Sequence, residues 1–218
     1  MKDKMTALGA SLGPAVPIAA VGGGESVSSS RLLERTMAMI DSELQTQDPP
    51  ISADVAAPSA RIHWSPRFQP KDADLLAHNE IVIAASRVTV WRHLVEAPKW
   101  PDWYPNARDV RIVSGRSDVL ENNSRFEFRT FGMHIDARVG EFLPERRLGW
   151  FGNGIGINAY HTWLLIEVAD GCKVVTEKVA KGPAAVVLRS TDPAVVHKGH
   201  EVWLRSLKLI SEQQNRTT

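Results

Sequence analysis

Residues 79–107, NEIVIAASRVTVWRHLVEAPKWPDWYPNA, constrain the fold of this chain more than any other stretch. Ile81 and Ile83 alternate with Glu80, Val82 and Ala84, an apolar run of strand length. Ser86 is placed to cap a helix, since its side-chain oxygen can accept from an otherwise unpaired N–H of the first turn. Val88, Trp91 and Val95, spaced i, i+3, i+7, give that helix an apolar face. Pro98 stops it, having no N–H to donate and restricting the residue before it. Trp100, Trp103 and Tyr104 then crowd an aromatic elbow.

Beyond the elbow the chain alternates with period two. Phe126 and Phe128 alternate with Arg125, Glu127 and Arg129; past a hairpin at Gly132, Met133, Ile135, Ala137 and Val139 alternate with His134, Asp136 and Arg138. Two consecutive strands with this pattern predict an antiparallel sheet with one buried and one wet face. Asn153-Gly154 signals a hairpin before a long strand over 157–168, and Asp170-Gly171 another before a strand over 173–179. Thr191-Asp192-Pro193 reads as a helix start. The closing helix carries the stripe Val196, His200, Trp203, Leu207 and Ile210.

Upstream, residues 1–29 read as a disordered leader. Pro14, Pro17, Gly9 and Gly13 interrupt the small-residue stretch that would otherwise resemble a secretory signal. Residues 30–46 carry Leu33, Met37, Ile40 and Leu44 at helical spacing, a stripe that must dock on the main domain or pair with a second copy. A Pro/Ala-rich linker and an extended arm, pinned by Trp64 and Phe68, fill residues 47–76. The compact domain spans 77–213, with a short tail over 214–218.

The 218 residues carry a formal net charge of +1, which gives no reason to expect nucleic acid or an anionic membrane as partner. No unbroken run of ~18 apolar residues suggests a membrane span. The lone Cys172 excludes an internal disulfide and a cysteine-rich metal site, and suits a reducing cytoplasm.

Several blocks together carry a family resemblance: IVIAA at 81–85 leading to Val90-Trp91, WPDWYP at 100–105, VGEFLPERRLGW at 139–150, HTW at 161–163 and DGCKV at 170–174. In order and spacing they resemble the helix-grip superfamily of START-related lipid-transfer domains and polyketide cyclase/dehydrase-like proteins, over residues 78–213. The resemblance implies an α+β fold: a seven-stranded antiparallel sheet wrapped around a long C-terminal helix, with an apolar cavity between them. It implies a hydrophobic small molecule as partner, polyketide-, polycyclic- or lipid-like, and no cofactor. Members share no universal catalytic motif, so the fold does not settle the chemistry.

Strand parity nominates Phe126, Phe128, Met133 and Ile135 as residues that meet such a ligand, the helical stripe adds Val196, Trp203 and Leu207, and the aromatic elbow adds Trp100, Trp103 and Tyr104. Parity does not orient the strand over 157–168, both of whose faces are apolar; the family's alternation implies that His161 and Trp163 turn toward the cavity, and Trp150 reads as cavity wall or core. Candidate acid–base groups are His161, His200 and Tyr160. His200 is the sharpest of these, an imidazole in the middle of an apolar stripe that needs a partner. His161 stands equally well as a hydrogen-bonded structural histidine. His134 with Asp136 is better read as two polar groups on a wet sheet face, and His197 is expected to face solvent. No metal site is expected, because no further ligand joins His197, His200 and Glu201 at convincing spacing, and His197 is turned away from the His200 face. Three functions stay open: a hydrophobic-ligand carrier, a cofactor-independent cyclase or dehydratase, and a protein-interaction module whose cavity is residual.

Overall fold

The computed structural model describes residues 62–215. The expected leader, the 30–46 helix with its possible dimer contact, and most of the linker lie outside the described residues. Seven strands form one antiparallel sheet: β1 (Leu75–Ile83), β2 (Arg108–Ser114), β3 (Arg125–Thr130), β4 (Met133–Leu143), β5 (Arg147–Gly154), β6 (Ile157–Val168) and β7 (Gly171–Lys181). Their order is β1-β7-β6-β5-β4-β3-β2. Helix α1 (Arg87–Val95) follows β1, and α2 (Pro183–Thr191) and α3 (Val195–Asn215) close the chain.

The cap on α1 forms as expected, with Thr89 N donating to Ser86 Oγ at 3.1 Å. The buried face of α1 is the expected one only in part: Trp91 and Val95 lie on it, and Val88 does not. Val88 is 57% exposed, whereas Val90, Trp91, Leu94 and Val95 are buried. Three apolar residues at helical spacing are a short sample, and the opposing sheet picks the denser stripe. Pro98 lies inside a 3-10 turn, Ala97–Asp102, that begins after α1 has already ended at Val95.

In β3 and β4 the period-two pattern holds: Phe126, Phe128, Ile135, Ala137 and Val139 are buried on the inner face. The β3–β4 turn is Phe131-Gly132, with φ of 49° and 72°, the left-handed pair that a two-residue type I′ turn needs. The β5–β6 turn falls at Ile155-Gly156 rather than at Asn153-Gly154, which end β5 and pair across the hairpin with β6. Gly156 supplies the positive φ, 71°, so the turn sits two residues beyond the Asn-Gly signal. Thr191-Asp192-Pro193 is a joint between two helices rather than a first start. Asp192 Oδ1 accepts from Ala194 N at 3.0 Å, and α2 precedes it, opened by Pro183 after Gly182.

Helix α3 lies across the inner sheet face. Its far end is tied to β1, with Ala84 N donating to Glu212 Oε1 at 2.8 Å and Lys208 Nζ to Val82 O at 2.9 Å. Between α3 and the sheet sits an aromatic cluster. Trp100, fully buried, meets Phe126, Phe128, Trp150 and Trp203 at centroid distances of 5.8, 5.8, 5.7 and 5.2 Å. Its indole N–H donates to Leu94 O at 3.1 Å. On the outer face, Ile62, Trp64 and Phe68 cover β5–β7, with Trp64 and Phe68 against Tyr160 at 6.2 and 6.4 Å. Among the described residues no helix is long and apolar enough to cross a membrane.

The role of Trp100 as the centre of this packing predicts that Trp100→Ala loses about 3–5 kcal/mol of unfolding free energy. Urea denaturation followed by circular dichroism reads this directly. A loss below about 1 kcal/mol would show that the cluster relaxes around the gap.

Candidate functional site

The inner face of β5, β6 and β7 carries one cross-strand row, Trp150–His161–Lys178, set by the antiparallel register. From α3, His200 stacks on His161, ring centroids 4.6 Å apart and planes 5° apart. Above them, Tyr104 stacks on Trp203 at 4.3 Å. These side chains bound a narrow hollow with Phe128, Thr130, Phe131, Met133, Ile135, Gly152, Ile157 and Ala159.

The space that a water-sized sphere can reach in it is about 30 Å3. That holds two or three waters, each needing roughly 10–15 Å3. It falls well short of the ~300–1,000 Å3 of a drug-sized ligand pocket. The roomy cup expected from the resemblance is therefore closed in this structure. The cause is the bulk of Trp100, Trp150, Trp163 and Trp203, all at 3% exposure or less between sheet and helix.

The mouth is shut by the β3–β4 turn. The Phe131 ring rests on Gly199 of α3, where any β-carbon would run into it. Phe131 N donates to Asn106 Oδ1 at 3.1 Å, Asn106 Nδ2 donates to the Tyr104 hydroxyl at 3.2 Å, and that hydroxyl donates to Gly199 O at 3.4 Å. Burial holds the Tyr104 phenol above its ordinary range, so it stays a donor.

The polar groups inside are unevenly satisfied. His161 Nε2 is 2.8 Å from Thr176 Oγ1, so His161 is in part the hydrogen-bonded structural histidine that its sequence context allows. His200, 2% exposed, has no partner for either ring nitrogen. Burial, then neighbouring positive groups, hold both imidazoles well below the usual histidine range. Those neighbours are His200 and Lys178 for His161, and Lys178, His197 and His78 for His200. Lys178 is pushed down to about 8 by burial.

Of the residues nominated by sequence, Tyr104, Phe128, Met133, Ile135, Trp150, His161, His200 and Trp203 line the hollow. Trp100, Trp103, Phe126, Trp163 and Leu207 belong to the surrounding core, and Val196 to a second cluster beside Ala77 and Ala180. Trp100, nominated from the elbow, lies at the centre of that core rather than on the hollow. Tyr160 is corrected outright: it lies on the outer face, 4.9 Å from Phe151, with its phenol raised first by burial and then by Glu141. Parity separates it from its neighbour His161, so it joins no acid–base pair there. His197 is half-buried rather than solvent-facing, and its carbonyl accepts from Asn79 Nδ2 at 3.2 Å. His134 does meet Asp136, at 3.5 Å, on the wet outer face, where Glu127 completes a group whose ligand atoms lie within 4.8 Å. Arg111 already engages Glu127.

Lys178, Phe131 and Thr130 line the hollow without a sequence signal that marks them. Both faces of β7 carry a charge, Glu177 and Lys178, so alternation alone cannot orient it. Phe131 sits in a turn, where parity says nothing.

A sheet gripping a long helix around a small polar-centred hollow defines the class, and sequence comparison agrees. Residues 75–208 match the family model described as polyketide cyclase / dehydrase and lipid transport, and the chain belongs to that family. A Helicobacter pylori hypothetical protein, jhp0584, is similar in structure at 28% identity and a TM-score of 0.65, over 72% of this chain and 99% of that one. The ZhuI aromatase/cyclase of Streptomyces sp. R1128 shares the fold at 14% identity and TM-score 0.56, over 64% of this chain and 94% of its own. The di-domain aromatase/cyclase StfQ of the steffimycin pathway does so at 16% and 0.55, over 65% of this chain and 53% of its own. No curated protein sequence matches the chain.

The lowered pKa values carry a stability consequence. Unfolded histidine titrates near 6.5, above the folded values of His161 and His200. Their neutral forms thus support folding fully above that pH, and the support is lost as pH falls from 6.5 toward the folded values. His78, raised by Glu177, acts with the opposite sign, so the His200→Phe variant is needed to isolate one group. It should be more stable than wild type by about 1–3 kcal/mol at pH 7. The gap should widen between pH 6.5 and 5 by up to about 1.4 kcal/mol per unit. Urea midpoints across that range measure it; a gap that narrows on acidification would contradict the burial of neutral His200.

Proposed function

We propose that this protein binds a hydrophobic small molecule, polyketide-, polycyclic- or lipid-like, in the hollow between the inner sheet face and α3. One observation carries the proposal. His200 sits in the core with both ring nitrogens unpartnered and beside the hollow. A buried polar group without a partner costs about 1–3 kcal/mol, and a core filled for stability alone would place Phe or Leu there. The apolar body of a ligand would pack on Phe128, Ile135, Trp150 and Trp203, and its polar end would meet the imidazoles. Because the hollow is closed at about 30 Å3, entry requires the Phe131 turn to lift from Gly199. That lift breaks no strand pairing in the body of the sheet, since Phe131-Gly132 is the tip of a hairpin.

A second reading, a cofactor-independent cyclase or dehydratase, is favoured by the stacked His161–His200 pair. Two imidazoles held neutral can accept a proton from a bound substrate near neutral pH. Tyr160 takes no part. Conversion abolished by His161→Gln and His200→Phe, with binding retained, would favour this reading over a carrier.

Titration of the full chain with the neutral probe N-phenyl-1-naphthylamine should quench tryptophan fluorescence saturably, at one site. Phe131→Ala should raise the association rate measured by stopped flow. Native mass spectrometry would register any molecule retained from the expression host. Absence of saturable quenching, with no retained molecule, would contradict the proposal.

A further inference from the structure

The wall of the hollow has an excess of donors and no acid. His161, Lys178 and His200 all line it, with no carboxylate among its lining residues. Lys178 makes no ion pair or hydrogen bond among the described residues; its ammonium lies 5.8 Å from the centre of the Phe131 ring. The Trp203 indole N–H is also buried without a partner. Nearby carboxylates are engaged elsewhere. Glu177 lies on the outer face, 2.7 Å from His78 Nδ1, and Glu201 accepts from Arg205 Nε at 2.8 Å and from Asn79 Nδ2 at 3.4 Å.

Resting on the small-molecule reading above, we infer that the hollow is built to receive an oxyanion, the carboxylate of an apolar acid, between Lys178 Nζ and the imidazoles of His161 and His200. The hydrocarbon body of that acid lies against Phe128, Trp150 and Trp203, and Phe131 closes over the seam. A cation–π contact holds the lysine at the mouth meanwhile, without neutralising it. Hydrogen bonds from cationic donors to a carboxylate are about twice as strong as neutral ones. Three bases converging without an anion therefore form an incomplete electrostatic arrangement that one acidic group completes.

Titration supports the same geometry. Burial, above all, disfavours the charged forms of all three groups, and their mutual proximity lowers the two histidines further. The other titratable groups around the cluster are His197 on α3, His78 on β1 and Tyr104 at the elbow. None supplies a negative charge at neutral pH. An entering carboxylate favours the protonated forms, so binding takes up protons from solvent.

The test is calorimetric titration of the full chain at pH 7.5 with 2-naphthoate and with methyl 2-naphthoate, repeated for dodecanoate and its methyl ester. Parallel titrations in phosphate and Tris buffers read proton uptake. The acid should bind about ten-fold or more tighter than the ester, with net proton uptake. Lys178→Met should remove that preference and leave ester affinity within about two-fold, its folding checked by thermal melt. Equal affinity for acid and ester would overturn the oxyanion inference and leave the small-molecule reading standing. Binding by neither member of either pair would overturn both. A preference that survives Lys178→Met intact would also overturn it, since Lys178 is the group that carries charge nearest neutral pH.

Discussion

Burial of four indoles between one sheet face and one helix is the constraint on which the rest of this structure depends. Trp100, Trp150, Trp163 and Trp203 lie within 5.0–6.4 Å of one another in successive pairs, and none is more than 3% exposed. Such rings bring large apolar area and prefer tilted or edge-to-face packing, which fixes α3 against β5 and β6. Once α3 is fixed, His200 must stack on His161, and the Gly199 backbone must present its bare face to Phe131. The position of the small hollow thus follows from how the indoles pack, while its polarity comes from His161, Lys178 and His200.

That packing also explains why the hollow is closed. A sheet curved around a helix leaves space in proportion to the side chains filling it, and here the filling is nearly complete. The remainder is the part that aromatic carbon cannot fill well: two imidazoles, an ammonium and an indole N–H around room for two or three waters. The polar centre costs stability, and a ligand that meets its donors returns it. On the proposed reading, access runs through the β3–β4 turn, where Phe131 and the Asn106–Tyr104–Gly199 hydrogen bonds form a latch of few contacts.

The sheet is legible in the sequence because β3 and β4 have one wet face, so Phe126, Phe128, Ile135 and Val139 announce themselves against charged neighbours. In β6 and β7 the signal fades for a physical reason. The 62–68 arm covers their outer face, so Tyr160, Leu164 and Val175 are as buried as His161, Trp163 and Val174. Family analogy places His161 and Trp163 inward, where the structure has them. The same covering makes Tyr160 look like a cavity residue. The His200 stripe is readable because a lone imidazole among Val196, Trp203 and Leu207 breaks an apolar pattern. Lys178 and Phe131 are not, since one lies on a strand with a charge on each face and the other in a turn. The size of the hollow is beyond the reach of sequence, because volume depends on how rings tilt rather than on which residues face inward.

The central claim is that His161 and His200 are the polar anchor of a small-molecule site. Long-range 1H–15N correlation spectra of 15N-histidine-labelled protein test it most directly, recorded with and without 2-naphthoate. The account predicts that the His161 and His200 ring nitrogens shift on binding while those of exposed His63 and His134 stay in place. Shifts confined to the exposed histidines, with His161 and His200 unmoved by a ligand that binds, would contradict it.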